Sequence, residues 1–215
     1  MKWWLLLLMV VLGNSGCSSM LPSGTVSGHV FRSDYLGQTG IEINKDFRYV
    51  GEGIRRFGIH HRLAPVGQES DFVNRVFLFQ NDGAEPSELA IVVTEMDNSG
   101  FLNPIENIDS GRIISRGRLK DNWNFQYLNF VSRGGDRAEA GDKTDRCHLT
   151  RWVTSLIQPR NQVRVSIVYS EVLPTSLGED PQCSNWANEA ELTPSQLGFF
   201  NGFEQRAFAS YQLLK

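Results

Sequence analysis

The chain has 215 residues, with 21 Lys and Arg against 24 Asp and Glu, for a net charge of −3. Neutralising a phosphate backbone takes clustered cations, so this balance argues against a dedicated nucleic-acid binder. Thirteen Phe, five Tyr and five Trp supply a real hydrophobic core, in one domain or at most two small ones.

The first element is a leader. Lys2 precedes the apolar run from Trp3 to Leu12, followed by Gly13-Asn14-Ser15-Gly16-Cys17-Ser18-Ser19. A run of about ten residues is half of the roughly 20 that span a bilayer, and it fits the apolar region of a signal peptide. Residues 1–19 resemble the export signal of bacterial lipoproteins, above all in the small residue Gly16 directly before Cys17. Asn14 departs from that pattern, standing where the family favours an aliphatic residue. The resemblance implies that residues 1–16 are removed and that Cys17 becomes the N-terminus. It would carry a diacylglyceryl thioether and an amide-linked acyl chain such as palmitate. Several acyl chains anchor far more firmly than one, at about 0.8 kcal/mol per buried CH₂. Ser18 and Ser19 imply sorting to the outer membrane, with the protein facing the periplasm. The alternative is an ordinary secretory signal cut near Gly16 or Ser19, which leaves Cys17 lost or idle. Removing residues 1–16 removes Lys2 and no acidic residue, so the mature charge is −4.

With Cys17 assigned to lipid, Cys147 and Cys183 remain. In an oxidising compartment an even pair reads as a disulfide. It would close a loop of about 37 residues, which loop-closure entropy values at about 3–4 kcal/mol. The alternative is two separate buried thiols. His148 adjoins Cys147 without C-x-x-C or H-x₃-H spacing, so no metal site is expected there.

Residues 17–40, rich in Ser and Gly, are expected as the lipidated cysteine and a flexible tether; residues 41–215 are expected as a single domain. Short strands are expected at 41–43 and 47–50. Residues 54–63 alternate, with Phe57, Ile59, His61 and Leu63 on one face. Strands at 72–80 and 88–96 flank the turn signal Asp82-Gly83. The consecutive apolar residues Leu89 to Val93 point to a central strand. Loop chemistry fills 97–111. Hairpins are expected from 112–119 with 123–131, and from 149–157 with 163–172. In the last strand Val163, Val165, Ile167 and Tyr169 face one way. Thr193-Pro194-Ser195-Gln196 is a capping box with proline at the first helical position. The stripe Leu197, Phe200, Phe203, Ala207, Tyr211 and Leu214 then predicts a C-terminal helix. Gly198 and Gly202, four apart, suggest close packing of that helix on a sheet.

Candidate chemistry is sparse. His60 and His61 are adjacent on a strand and point to opposite faces, so they do not readily share a metal; His29 and His148 complete the set. Oxygen-bearing residues from Asp136 to Asp145 could bind Ca²⁺, but Arg137, Lys143 and Arg146 favour a solvated tip. Arg112, Arg116 and Arg118 share one face of their strand, and Arg133 is near in sequence. They form a basic stripe for an anionic glycan, a lipid head group or an acidic partner, or a plain solvent face. Trp123, Phe125 and Tyr127 share a face of the next strand, for sugar stacking or for the core.

The fold class expected is α+β, a mostly antiparallel twisted sheet of about six to eight strands covered on one face by the C-terminal helix. The expected function is a non-catalytic interaction or assembly module of the envelope, held to the membrane through Cys17 and meeting an envelope protein. A glycan or cell-wall ligand module is the alternative, with low-weight ligand residues Arg112, Arg116, Arg118, Trp123, Tyr127 and Arg133. An envelope hydrolase is a third reading. No catalytic residue, metal or cofactor is assigned.

Overall fold

The computed structural model describes residues 22–60, 69–83, 86–96, 113–119, 122–133, 146–157, 163–177, 183–186 and 188–214. Cys17, His61, Leu63, Arg112, the loop at 97–111, the run from Asp136 to Asp145 and the turn at 159–161 lie outside them. For His60, Trp123 and Arg133 the backbone alone is described.

Among the described residues the chain is mostly β, with two antiparallel sheets and one C-terminal α-helix. The large sheet has seven strands: β4 (Arg48–His60), β5 (Glu69–Asn81), β6 (Ser87–Met96), β7 (Ile113–Leu119), β8 (Asn122–Arg133), β9 (Cys147–Ile157) and β10 (Val163–Val172). Their spatial order is β4-β5-β6-β10-β9-β8-β7. The chain thus leaves β6, restarts at the far edge with β7, and works back until β10 pairs with β6. That last pairing sets Ile91 opposite Ile167 and Val93 opposite Val165. All four side chains are fully buried. The expected inward set of β10 holds, with Val165, Ile167 and Tyr169 buried and Val163 half-buried.

The small sheet was not expected. It has the order β1-β2-β3-β11, from β1 (Thr25–Ser27), β2 (Val30–Arg32), β3 (Gly40–Ile43) and β11 (Tyr211–Leu213). This corrects the tether at 17–40, because β1 and β2 lie inside it and Phe31 of β2 is fully buried. The carbonyl of Pro22, the first described residue, accepts from Arg75 Nη1 at 3.1 Å. A serine- and glycine-rich stretch still forms strands when a neighbouring sheet supplies an apolar surface, and here that surface is Phe77, 4.9 Å from the Phe31 ring centre.

The two short strands expected at 47–50 and 54–63 are one long strand, β4. An irregularity between Tyr49 and Gly51 inserts a residue and shifts the inward phase from odd to even. Gly51, at φ 153°, fits the bulge.

The core lies between the sheets. Phe31, Ile41, Ile43 and Phe47 meet Phe77, Phe79, Leu89, Ile91, Val93, Val165, Ile167 and Tyr169. We call this face of the large sheet the inner face. The disulfide between Cys147 and Cys183 is present, with Cα atoms 5.9 Å apart. It ties residues 183–186 to the start of β9, and Trp186 beside it is fully buried. Trp186 donates its indole N–H to the Leu177 carbonyl at 3.2 Å.

The helix α1 (Pro194–Ala209) starts as its sequence predicts. Thr193 Oγ1 accepts from the Gln196 amide, and the Gln196 side chain returns to the Thr193 amide. Its buried residues are Gln196, Phe200, Phe203 and Ala207. Leu197 is instead exposed, and Tyr211 has left the helix for β11. Gly198 and Gly202 are not close-packing positions. A Cβ on Gly198 would meet nothing within 4 Å, and one on Gly202 would meet only the Arg206 side chain. Among the described residues no helix is long and apolar enough to cross a membrane.

Candidate functional site

Charged side chains interrupt the inward-facing positions of β9 and β10, and α1 meets both. Strand alternation points Leu149, Arg151 and Val153 inward on β9, and Val165, Ile167, Tyr169 and Glu171 inward on β10. A charge in that phase needs a partner, since burying it alone costs several kcal/mol. Glu171 finds one in Arg206, whose Nε and Nη2 each donate at 2.7 Å to separate carboxylate oxygens. The Tyr169 hydroxyl donates to the same carboxylate. Burial, reinforced by that carboxylate, raises the Tyr169 phenol well above its ordinary pKa. The Phe203 ring packs 5.6 Å from Tyr169.

Arg151 is the second case. Its side chain is wholly buried, yet Nη1 donates to Glu204 Oε1 at 3.2 Å and approaches Asn129 Oδ1 at 3.4 Å. Asn129 in turn donates to Glu204 at 2.8 Å and to Ser115 at 2.9 Å. The guanidinium carbon sits 4.1 Å from the centre of Tyr127 and 3.9 Å from that of Phe208. Two aromatic faces thus replace part of its hydration. Burial lowers the Arg151 pKa, against the opposing pull of Tyr211, Glu204 and Tyr127. Burial also raises the Tyr211 phenol, with Arg151 pulling it back. Both carboxylates and both guanidiniums are engaged by side chains of this chain. Their chemistry is that of joining helix to strand.

The register separates the residues expected to share a ligand surface. Arg116 pairs with Leu128 and Arg118 with Gln126, whereas Tyr127 lies opposite Gly117. Arg116 and Arg118 therefore face outward and are exposed, while Phe125 is buried on the inner face and Tyr127 is half-buried there. Gly117 is what admits the Tyr127 ring, because a Cβ in its place would stand 2.8 Å from the phenol oxygen. The outer face carries a set, including Arg164, Ser166 and Ser170, to which the sequence alone assigns no role. Ser166 donates to Thr154 at 3.1 Å, Thr150 and Ser170 share a hydrogen at 3.3 Å, and Arg164 lies 5.0 Å over Trp152. Its signal was present in the even-numbered phase of β9 and β10, where Thr150, Trp152 and Thr154 face Ser166 and Ser170.

His148 is buried, and His29 is half-buried at the turn between β1 and β2. A shallow cleft of about 520 Å³ lies near the start of α1, lined by Ser176, Leu177, Asn185, Glu191, Thr193, Ser195 and Gln196. Among the described residues its lining holds no histidine and one carboxylate, Glu191, which accepts from Asn188 at 3.1 Å. Among the described residues no three His, Cys, Asp or Glu side chains are grouped to hold a metal. Comparison of the chain with protein-family models, with curated proteins and with solved structures finds no match in any of the three.

Proposed function

We propose that this chain is a lipid-anchored envelope protein acting as a non-catalytic interaction or assembly module. The observation that carries the reading is the leader, in which an apolar run too short to span a bilayer ends on Gly16-Cys17. The disulfide supports the same compartment from the other end of the chain, since such bonds persist where the environment is oxidising. In this reading residues 1–16 are removed, Cys17 carries the lipid, and the domain faces the periplasm from the outer membrane. The C-terminal helix then serves as the cover of the inner sheet face. The Glu171–Arg206 and Arg151–Glu204 pairs and the Phe203–Tyr169 contact support that role.

The glycan-binding alternative draws less support, because Tyr127 is engaged by Arg151 on the face opposite Arg116 and Arg118. Intact mass of the mature protein tests the anchor: acyl chains on Cys17 are expected, and an unmodified N-terminus beyond residue 17 would overturn it. Affinity capture from envelope extracts with the acylated protein tests the interaction role. A specific protein partner is expected; capture of isolated cell-wall glycan in its place would favour the alternative.

A further inference from the structure

The short span between Cys17 and Pro22 decides which side of the domain meets the bilayer. The first described residue, Pro22, is buried and tied to Arg75. Ser33 Oγ donates to the Ser23 carbonyl at 2.7 Å, and Ser23 Oγ donates to Asp34 at 2.8 Å, so the chain is fixed from its first described residues. Five residue steps separate Cys17 from Pro22, a reach of about 18 Å at full extension. The surface around Pro22 therefore cannot move far from whatever holds Cys17.

That surface is the β4 edge. Arg75 pairs directly with Ile54 of β4 and bonds Glu52 of the same strand at 2.9 Å. β4 is the first strand of the large sheet and is hydrogen-bonded on one side only among the described strands. Five large apolar side chains are exposed among the described residues, and three of them are on β4: Tyr49 at 38%, Val50 at 44% and Ile54 at 45%. Apolar side chains exposed along an open edge invite aggregation unless something covers them. A tether this short holds the edge against lipid head groups, where partly buried apolar side chains gain from the acyl boundary.

We propose that the β4 edge, with Tyr49, Val50 and Ile54, is the membrane-apposed surface of this domain, and that the seven-stranded sheet stands away from the bilayer. The inference rests on the lipid anchor at Cys17. Six strand spacings of about 4.8 Å then place β7 about 29 Å further from the lipid.

The test uses an environment-sensitive fluorophore on Ile54→Cys and, separately, on Arg118→Cys of β7. Both positions are exposed, and far-ultraviolet circular dichroism checks that each variant is folded. The full-length acylated protein is reconstituted in phosphatidylethanolamine–phosphatidylglycerol vesicles with nitroxide-headgroup lipid. At least twofold stronger quenching at position 54 than at 118 is expected. Equal quenching, or stronger quenching at 118, overturns the orientation. An Ile54→Cys dimer formed on mild oxidation without quenching assigns the edge to a second copy and overturns it equally. If intact mass shows no acyl chain on Cys17, the anchor reading fails by itself. The orientation is then measured with a hexahistidine tag in place of residues 1–17, on nickel-chelating vesicles, by the same criterion.

Discussion

Tyr127 occupies the space a side chain at position 117 would fill, and its ring lies beneath the Arg151 guanidinium. Gly117→Ala must therefore displace a ring that is clamped from the other side. Overpacking of this kind costs about 1–3 kcal/mol. We expect a lower Tm for G117A, measured by thermal denaturation; an unchanged or raised Tm would mean that the ring yields freely. Glu171 poses a related problem. Removing its partner with Arg206→Ala leaves a buried carboxylate held by the Tyr169 hydroxyl. A fully buried pair broken in this way loses about 3–5 kcal/mol, and solvent reaching a third of Arg206 reduces that to about 2–4 kcal/mol. Denaturant unfolding of R206A should show that loss, and the apolar double replacement Glu171→Leu with Arg206→Met should recover much of it. None of these charges stood out in the sequence as a site. Arg151 and Glu171 could have been flagged by phase, because each falls where Leu149, Val153, Ile167 and Tyr169 point inward. Their partners could not, because Glu204 and Arg206 are ordinary residues on a helix until the helix is placed.

Strand β9 begins at a cysteine that holds residues 183–186, so the disulfide sets how the segment after β10 returns towards the helix. Reducing it, or replacing Cys183 with Ser, should lower stability by about 3–4 kcal/mol and free Trp186, with a red shift of tryptophan emission. No emission change on reduction would show that the apolar contacts alone hold that segment. The longer elements were legible because their alternation survives. Expected strands at 72–80, 88–96 and 163–172 appear as β5, β6 and β10 with small changes at the ends. Elements went unread where period failed. Three-residue strands such as Thr25–Ser27 carry no measurable alternation. Tyr211 kept helical spacing from Ala207 yet pairs with Ile43 in β11. β4 was split because its bulge reverses the phase that alternation relies on.

Alkaline pH tests the molecule as a whole. Burial raises the phenols of Tyr169 and Tyr211, and burial with Glu95 raises that of Tyr35, all above the ordinary value of 10.0. Between that value and the higher folded values the unfolded chain binds fewer protons than the folded one. Stability is therefore fully present below pH 10 and falls as pH rises through that window. Denaturant midpoints measured across this range should drop; ionisation of all five tyrosines in a still-folded protein would contradict the burial assigned to Tyr169 and Tyr211. The proposed anchor, by contrast, rests on residues 1–19 alone, since an export signal is recognised as an unfolded segment and its information is local. If the chain crosses a membrane N-terminus first, as proposed above, the order of the strands has a further effect. Until β10 emerges, β6 presents an unpaired edge beside Leu89, Ile91 and Val93, and β3 waits for β11, which follows every other described strand in the chain. Such late, long-range pairing is slow to form and exposes sticky intermediates meanwhile. Under the proposed export this chain should depend on a holdase while it folds, and removal of residues 211–215 should leave the N-terminal sheet open to proteolysis.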